Sequence, residues 1–332
     1  MSNRYLRNLT AIPLLLLASC GGGTKQDEAQ IPTPMFSPPA SQPSFSGETA
    51  MRYITEQVTF GPRVPGSPAH TECRDYYVKH FTDLGWETSL QSFSMPGYEG
   101  VTLDLHNVVA RFRPEVQPRV LLCAHWDSRP FSDMETDETL KLLAVPGAND
   151  GASGVAVLMH LAEILSATPP QIGVDIVLFD GEDYGKDGEE SMFCLGSKYY
   201  AASLGTESAP LFAVLLDLVG DKEAVFPREG FSEQFAKDIL DLFWSQAAAL
   251  GLKQFVNSRH SPIIDDHLPL NTTGGIKAIN IIDASLVGHA DANERRKYWH
   301  TQRDTPEQCS AATLEAVGSL LLRVLFGLQP ST

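Results

Sequence analysis

From about residue 100 to the C-terminus, the hydrophobic pattern alternates between short apolar runs and longer segments that are apolar on one face. The short runs are typical of buried strands, and they are HNVVARF, RVLLCAHWDS, VDIVLFD, FAVLLDLVG and IKAINIID. The longer segments predict helices, and they are GASGVAVLMHLAEIL, GSKYYAASL, SEQFAKDILDLFWSQAAALG and TLEAVGSLLLRVLFGL. This alternation predicts an α/β fold with a mixed, mostly parallel central sheet that is flanked by helices on both faces.

Acidic and imidazole side chains follow the carboxyl ends of three predicted strands. They are His125, Asp127, Asp180, Glu182, Asp183 and Asp217. Sites in open α/β sheets lie at this edge, so we expect these side chains to converge. A solvated turn is the ordinary alternative for the three acids of FDGEDYG. Asp217 is harder to explain in that way, because a carboxylate inside an apolar strand must be paired, protonated or metal-bound.

Loops supply further side chains of the same kind. They are Asp150, Asp265, Asp266, His267, His300 and Asp304. Asp150 directly precedes a Gly-rich helix start and could be only an N-cap, and a single histidine is more often structural than a ligand. Taken together, however, the carboxylates and imidazoles form a donor set that suits zinc, and no cluster of cysteines competes with it.

A hydrolytic or acyl-transfer zinc site also needs a base that is not a ligand. Adjacent residues on an extended or turning backbone point in different directions, so Asp183 is predicted to face the metal and Glu182 to act as general base. Asp180 is predicted to be structural. The chain has no GxSxG nucleophile elbow, no phosphate-binding P-loop and no HExxH zinc helix.

Composition and charge narrow the function classes. The 332 residues are 43% hydrophobic and 20% charged, which is typical of a globular protein. The formal charge is 25 − 41 = −16 without a basic stripe, so nucleic acid is not expected as a partner. No internal repeat or second linker is present, which favours one catalytic domain.

The N-terminus predicts export. Residues 1–20 carry two arginines, an apolar run too short to span a bilayer and the sequence LLASC, which resembles a lipoprotein lipobox. We expect a lipoprotein signal peptide with a lipidated Cys20; an ordinary signal peptide is the alternative. Gly21 after Cys20 suggests the periplasmic face of the outer membrane, with the membrane as a partner through the lipid.

Residues 21–45 are rich in Gly, Pro, Ser and Gln and are predicted to form a flexible tether, with residues 46–332 as the catalytic domain. Cys73, Cys123, Cys194 and Cys309 show no CxxC spacing. Their pairing stays open, as does the oligomeric state.

Six motifs occur in the order found in zinc exopeptidases of the co-catalytic aminopeptidase family, which the chain resembles over roughly residues 50–330. They are AHWDSRP, PGANDGASG, FDGEDYG, LLDLVG, DDHLP and YWHTQRD. The resemblance implies that Asp150, Asp183 and His300 hold a zinc ion. In dinuclear aminopeptidases, residues at His125 and Asp217 hold a second zinc, and Asp127 would orient His125.

Finer sequence features resemble those of the zinc-dependent glutaminyl cyclases that share this fold. The motifs GEDYG and FCLGSKYY resemble the bacterial members specifically. Trp299 precedes the ligand histidine, where cyclases close the pocket over a glutamine side chain; core packing is its alternative role. Asp265 stands where aminopeptidases more often have serine. Phe193 stands where bacterial cyclases tend to have a pocket tryptophan, and the loop around residues 283–298 matches no family pattern.

The resemblance therefore implies a glutaminyl-peptide cyclotransferase, which converts the N-terminal glutamine of peptides or proteins to pyroglutamate with release of ammonia. It implies one zinc ion, a catalytic network of Glu182, Asp217 and Asp265, and a substrate pocket lined by Trp299 and Phe193. The alternatives are an aminopeptidase of the same fold with two zinc ions and, less favoured, a metal-binding surface lipoprotein.

Overall fold

The computed structural model describes residues 35–186, 188–205, 209–288 and 297–330. The predicted signal peptide, the lipidation site Cys20 and the tether up to residue 34 lie outside the described residues. So do residues 289–296 of the loop that matches no family pattern.

Eight helices and eight strands are described. The helices are α1 (Gly47–Thr59), α2 (Pro68–Asp83), α3 (Ala152–Ala167), α4 (Leu195–Ser203), α5 (Gly230–Phe235), α6 (Lys237–Ala249), α7 (His267–Thr272) and α8 (Ala311–Gly327). The strands are β1 (Glu87–Pro96), β2 (Thr102–Phe112), β3 (Arg119–His125), β4 (Gly173–Phe179), β5 (Ala213–Asp217), β6 (Phe226–Arg228), β7 (Phe255–Arg259) and β8 (Ala278–Ile282).

The predicted mixed, mostly parallel sheet is confirmed. Six strands pair in the order β1-β2-β4-β3-β5-β8. The β1–β2 and β2–β4 pairs are antiparallel, while β4–β3, β3–β5 and β5–β8 are parallel. Strands β6 and β7 form a separate parallel pair. Because β4, β3, β5 and β8 run in one direction, their carboxyl ends meet at one edge of the sheet.

Helices cover both faces of this sheet, as predicted. Every residue of β3 is buried, because successive side chains point to opposite faces and both faces are covered. Val120, Leu122 and Ala124 join the large cluster packed by α1, α2, α3, α6 and α8. Leu121 and Cys123 pack on the other face, in the cluster that contains residues of α4 and α7.

The boundary between tether and domain is wrong in the prediction. Phe36 bridges to Leu328 after the end of α8, and Phe45 is only 4% exposed. Residues 35–45 therefore pack on the domain instead of belonging to the tether predicted for residues 21–45. The tether was predicted from the Pro- and Ser-rich composition, which gave no weight to these two phenylalanines. Their burial attaches the segment to the domain.

The single helix predicted over residues 232–251 is also wrong. It is divided into α5 and α6 at Ala236, which has φ −137° and ψ 37°. Ala236 is fully buried, and the Glu229 carboxylate caps α5 by accepting hydrogen bonds from two backbone amides. The segment contains no helix-breaking residue before its final glycine, so tertiary packing overrides its local helix propensity at Ala236.

Two further properties concern the cysteines and the described helices. Cys73, Cys123, Cys194 and Cys309 are all buried free thiols. Within the described ranges, none of the helices has the length and apolarity needed to cross a bilayer.

Candidate metal and catalytic site

Among the described residues, three groups of side chains could hold a metal ion: one consists of Glu182, Cys194 and Asp265, and the other two contain the predicted ligands and share Asp150. The first of these two consists of His125 and Asp217, which end β3 and β5, together with Asp150, which lies just before α3. His125 Nε2 lies 3.1 Å from Asp150 Oδ1 and 3.3 Å from Asp217 Oδ1. The predicted second-zinc residues are therefore adjacent in space.

The second group consists of Asp150, Asp183 and His300. These are the residues predicted to hold a zinc ion whether the protein is a cyclase or an aminopeptidase. His300 Nε2 lies 3.5 Å from Asp150 Oδ2 and 3.7 Å from Asp183 Oδ2. Asp150 thus presents one carboxylate oxygen to each group. Within each group, one donor atom per residue lies within 4.8 Å of the others, a separation that a single ion could bridge.

The chemistry of these donors fits zinc. Burial raises the pKa of Asp183 to about 6 despite the opposing charge of Arg129, and burial also raises the pKa of Asp217. Burial acts in the same direction on Asp150, but hydrogen bonds with His125 and His300 hold its pKa below the usual range. Buried carboxylates this close need a compensating cation, and carboxylate oxygen with imidazole nitrogen is a zinc donor set.

Two buried aspartates hold the backbone that carries the ligands. The Asp304 carboxylate accepts hydrogen bonds from the backbone N–H groups of Asn149 (2.8 Å) and Asp150 (3.1 Å). The Asp127 carboxylate accepts from the N–H groups of Glu182 (3.0 Å) and Asp183 (3.2 Å). Each aspartate therefore fixes the peptide from which a ligand projects.

The predicted contact between Asp127 and His125 is only partly present. Asp127 Oδ1 lies 3.6 Å from His125 Nδ1, which is longer than an ordinary hydrogen bond. The hydrogen bonds of Asp127 go instead to the turn after β4, so its main contact is with the predicted base and ligand and not with the histidine.

Glu182 is half-buried and lines the same pocket as the second ligand group. The thiol of Cys194 donates a hydrogen bond to Glu182 Oε1 at 3.5 Å. Burial raises the pKa of Glu182 well above its usual value, and the charges of Asp265 and Asp183 raise it further against the opposing effect of His125. A carboxyl group with a raised pKa beside a metal site can accept and return a proton.

Asp265 completes the predicted catalytic set. Burial and the nearby charge of Asp217 raise its pKa to about 7. Its carboxylate accepts hydrogen bonds from the Asn280 side chain and the Asp266 backbone N–H, each at 2.6 Å. The structure therefore places Glu182, Asp217 and Asp265 around one pocket. The hydrogen bond from Asn280 on β8 fixes the Asp265 carboxylate.

The pocket has a volume of about 180 Å³ and is lined by both polar and apolar side chains. The polar ones are Arg129, Asp150, Glu182, Asp183, Asp217, Asp265 and His300, and the apolar ones, which we call the apolar wall, are Phe193, Leu218, Ile263, Ile264, Ile282, Val287 and Trp299. The Trp299 ring stacks on the His300 ring with centroids 3.6 Å apart. Both predicted substrate-binding residues, Trp299 and Phe193, line the pocket, which has room for one small side chain.

Asp180 does not belong to this site. Its fully buried carboxylate lies 2.9 and 3.0 Å from His70 Nε2 and accepts a hydrogen bond from the His106 backbone N–H at 2.7 Å. It ties α2 to the end of β4, in agreement with the predicted structural role.

Sequence reasoning missed Arg129, which is 3% exposed and lines the pocket. It donates a hydrogen bond to Asp183 Oδ1 at 2.6 Å and a further pair to Asp133. Its position directly after AHWDS was the available signal, since an arginine so close to a predicted acidic site must pair with part of it.

Residues 107–325 match peptidase family M28. The chain is also similar to a solved structure of Bacteroides thetaiotaomicron glutaminyl cyclase bound to N-acetylhistamine, with 35% identity and a TM-score of 0.81. That match covers 87% of this chain and all of the other.

Two curated relatives differ in how much of them is matched. A glutaminyl-peptide cyclotransferase of Drosophila melanogaster is 26% identical over 81% of this chain and 77% of its own length. The alkaline phosphatase isozyme conversion protein of Escherichia coli is 31% identical over 46% of each chain, so the match spans about half of that relative. The ligand groups and these similarities support zinc as the metal. The family match covers about two thirds of the chain, which shows that the chain belongs to peptidase family M28.

Proposed function

We propose that this protein is a glutaminyl-peptide cyclotransferase that acts on the N-terminal glutamine of peptides or proteins. The observation that carries the proposal is that Glu182 and the Asp150–Asp183–His300 group share one small pocket, which Trp299 lines on its apolar side. The similarity to the bacterial glutaminyl cyclase over nearly the whole domain supports the same activity.

In this proposal one zinc ion is held by Asp150, Asp183 and His300. When bound, it supplies Lewis-acid polarisation of the side-chain amide of the substrate glutamine. The α-amino nitrogen of the same residue forms a bond to the amide carbon, and the bond from that carbon to the amide nitrogen breaks. Both reacting groups belong to one molecule, so holding them in the pocket provides much of the rate.

Glu182 moves the proton in this reaction. Its carboxylate takes a proton from the attacking amine and returns it to the departing nitrogen, which leaves as ammonia. The charge of Asp265 raises the pKa of Glu182, and the charge of Asp217 raises the pKa of Asp265. We assign to these two aspartates the sharing of protons that keeps Glu182 ready to accept one. Trp299 and Phe193 would hold the glutamine side chain and exclude water.

An aminopeptidase is the second candidate, and one observation favours it. His125, Asp150 and Asp217 form a complete further donor group next to the first, as a dinuclear hydrolase requires. In that case Glu182 would take a proton from water, and Asp217 would bind metal instead of sharing protons with Asp265.

We also propose that the protein is exported and anchored by lipid on Cys20 at the periplasmic face of the outer membrane. The support is the sequence LLASC followed by Gly21, after a short apolar run. Metabolic labelling with a palmitate analogue would detect the lipid, and a Cys20→Ser variant that is labelled equally would contradict the proposal.

The deciding experiment compares a Gln-initiated and a Leu-initiated dipeptide amide. A soluble form should start at Thr33, because Phe36 and Phe45 pack on the domain. Ammonia release with a matching mass loss, and no freed amino acid, would support the cyclotransferase; freed leucine without ammonia would support the aminopeptidase.

Glu182→Gln tests the role of the base in the same assay. We expect turnover to fall by about 100-fold or more while zinc stays bound, since Glu182 is not among the predicted ligands. Glu189→Gln, an exposed glutamate in the same loop, is the matched control and should keep full activity. Loss of zinc from Glu182→Gln would mean that Glu182 is a ligand.

A further inference from the structure

Arg129 is almost completely buried beside the ligand groups, and each nitrogen of its guanidinium donates a hydrogen bond. Nη1 donates to Asp183 Oδ1 at 2.6 Å, while Nε and Nη2 donate to the two oxygens of Asp133 at 3.0 and 2.6 Å. A buried guanidinium is costly unless it is paired in this way, and the forked contact also fixes orientation.

Asp133 lies between Arg129 and the predicted ligand His300. Its Oδ1 lies 3.4 Å from His300 Nδ1, the ring nitrogen opposite the one that faces Asp150 and Asp183. The backbone N–H of Met134 donates to the His300 carbonyl at 3.2 Å. One short segment therefore contacts both the ring and the backbone of His300, whose φ of 53° is unusual for a residue with a side chain.

We propose that Arg129 and Asp133 are positioning residues for the metal ligands. Arg129 occupies one oxygen of Asp183 and leaves the other, Oδ2, directed at Asp150 and His300. Asp133 Oδ1, 3.4 Å from the otherwise unpartnered Nδ1 of His300, is the acceptor available to an Nδ1–H, and that pairing would keep the Nε2 lone pair directed at the metal. Groups that hold ligands in this way typically change metal affinity by about 10–100-fold when they are removed.

A purely structural role is the alternative. In that case the Arg129–Asp133 pair would only attach its loop to the turn after β4, and its loss would lower stability without any specific effect on the metal. The two possibilities separate when zinc affinity and the stability of the zinc-free protein are measured on the same variants. This inference rests on the zinc site of the proposed function, but not on which reaction that site catalyses.

The experiment uses the whole chain with Asp133→Asn, Arg129→Lys and the control Asp137→Asn. Asp133 is one-third exposed, so the isosteric amide should fold, and Asp137 gives the same charge change in the same loop at an exposed position away from the ligands. Zinc dissociation constants come from competition with a chromophoric chelator, and thermal unfolding is measured without metal.

We expect Asp133→Asn and Arg129→Lys each to weaken zinc binding by about 10–100-fold, while Asp137→Asn stays within about 2-fold of the parent. Zinc-free Asp133→Asn should stay folded, because the amide oxygen can still accept from Arg129 and Arg129 stays paired with Asp183, so that a loss of zinc affinity is separated from unfolding. Unchanged zinc affinity in Asp133→Asn and Arg129→Lys would overturn the inference, and so would a parent protein that binds no zinc. A parent that binds zinc but releases no ammonia from Gln-peptides would refute the cyclotransferase alone.

Discussion

Gly154 lies where α3 packs against β5 and β3, and replacing it by alanine would move the two halves of the site. A Cβ added at Gly154 would lie 2.3 Å from the carbonyl oxygen of Leu216 and 2.9 Å from Cβ of Ala124. Leu216 immediately precedes Asp217, and Asp150 lies one turn before Gly154. The substitution therefore pushes apart the elements that carry two of the predicted ligands.

The size of the effect follows from two opposing contributions. An alanine is better than glycine inside a helix by about 1 kcal/mol. Cβ contacts below 3.0 Å essentially do not occur, so helix and strand must separate by at least 3.0 − 2.3 = 0.7 Å against a rigid backbone. Overpacking of this kind costs about 1–3 kcal/mol, which leaves a net loss of roughly 0–2 kcal/mol in the free energy of unfolding.

Activity should fall far more than stability. A misplacement of about 1 Å in a catalytic site can cost on the order of 100-fold in rate, so Gly154→Ala should lower kcat/KM for a Gln-peptide by about 10–100-fold. The assays are ammonia release, zinc content and urea unfolding.

Gly318→Ala in α8 is the matched control for Gly154→Ala. Its added Cβ would meet the Phe45 ring at 2.3 Å, a side chain that can move and that does not line the pocket. Stability of this variant should fall while activity is kept. Wild-type kcat/KM in a folded Gly154→Ala protein would refute the reasoning.

Three further predictions test the apolar wall, the N-terminal segment and a buried acid. Trp299→Ala should raise KM for a Gln-peptide by about 10-fold or more with zinc retained, because the wall over the ligand His300 is lost; an unchanged KM would contradict a substrate role. Phe45→Ala should lower the free energy of unfolding in urea by about 3–5 kcal/mol, and a loss below about 1 kcal/mol would mean that residues 35–45 are not fixed by this ring. Burial raises the pKa of Glu229, but the contact with His267 and two backbone amides outweigh it and lower the pKa from 4.5 to about 2. Because the folded-state pKa is the lower one, about 3 kcal/mol of stability is present above pH 5 and is lost as the pH falls towards 2. In Glu229→Gln the unfolding free energy should fall less over this pH range, and an unchanged pH dependence would contradict the assignment.

The parallel part of the fold could be predicted because its strands are buried on both faces and therefore form continuous apolar runs. The first hundred residues gave no such signal. Strand β1 is an edge strand in which only Phe93 is buried, so its sequence ETSLQSFSMP has no apolar run. Helices α1 and α2 were not assigned either. In α1 the buried Ala50, Tyr53 and Ile54 recur at helical spacing, so a signal was present and was missed. The pattern of α2 is weak, and tertiary contacts bury one side of it.

The ligands at the strand ends could be predicted for a related reason, whereas Asp150 and His300 lie in loops and were assigned through the resemblance. His125, Asp183 and Asp217 follow strands that run in the same direction, so their proximity follows from the topology alone. Arg129 and Asp133 lie in a loop whose return to the site depends on its own contacts, which no periodicity records. The same holds for Cys194, whose thiol meets Glu182 only because the chain turns back at the start of α4.

Backbone conformation explains why some site residues could not be predicted from local sequence preferences. Four described residues other than glycine have positive φ, and three of them are at the site: Cys194 (54°), Leu218 (50°) and His300 (53°). Glycine would adopt these angles without the cost of about 1–2 kcal/mol that a side chain incurs. It would, however, remove a donor to Glu182, an apolar wall of the pocket and a predicted ligand. The strain is therefore retained where a side chain is needed, and such positions can be found only once the surrounding packing that enforces them is known.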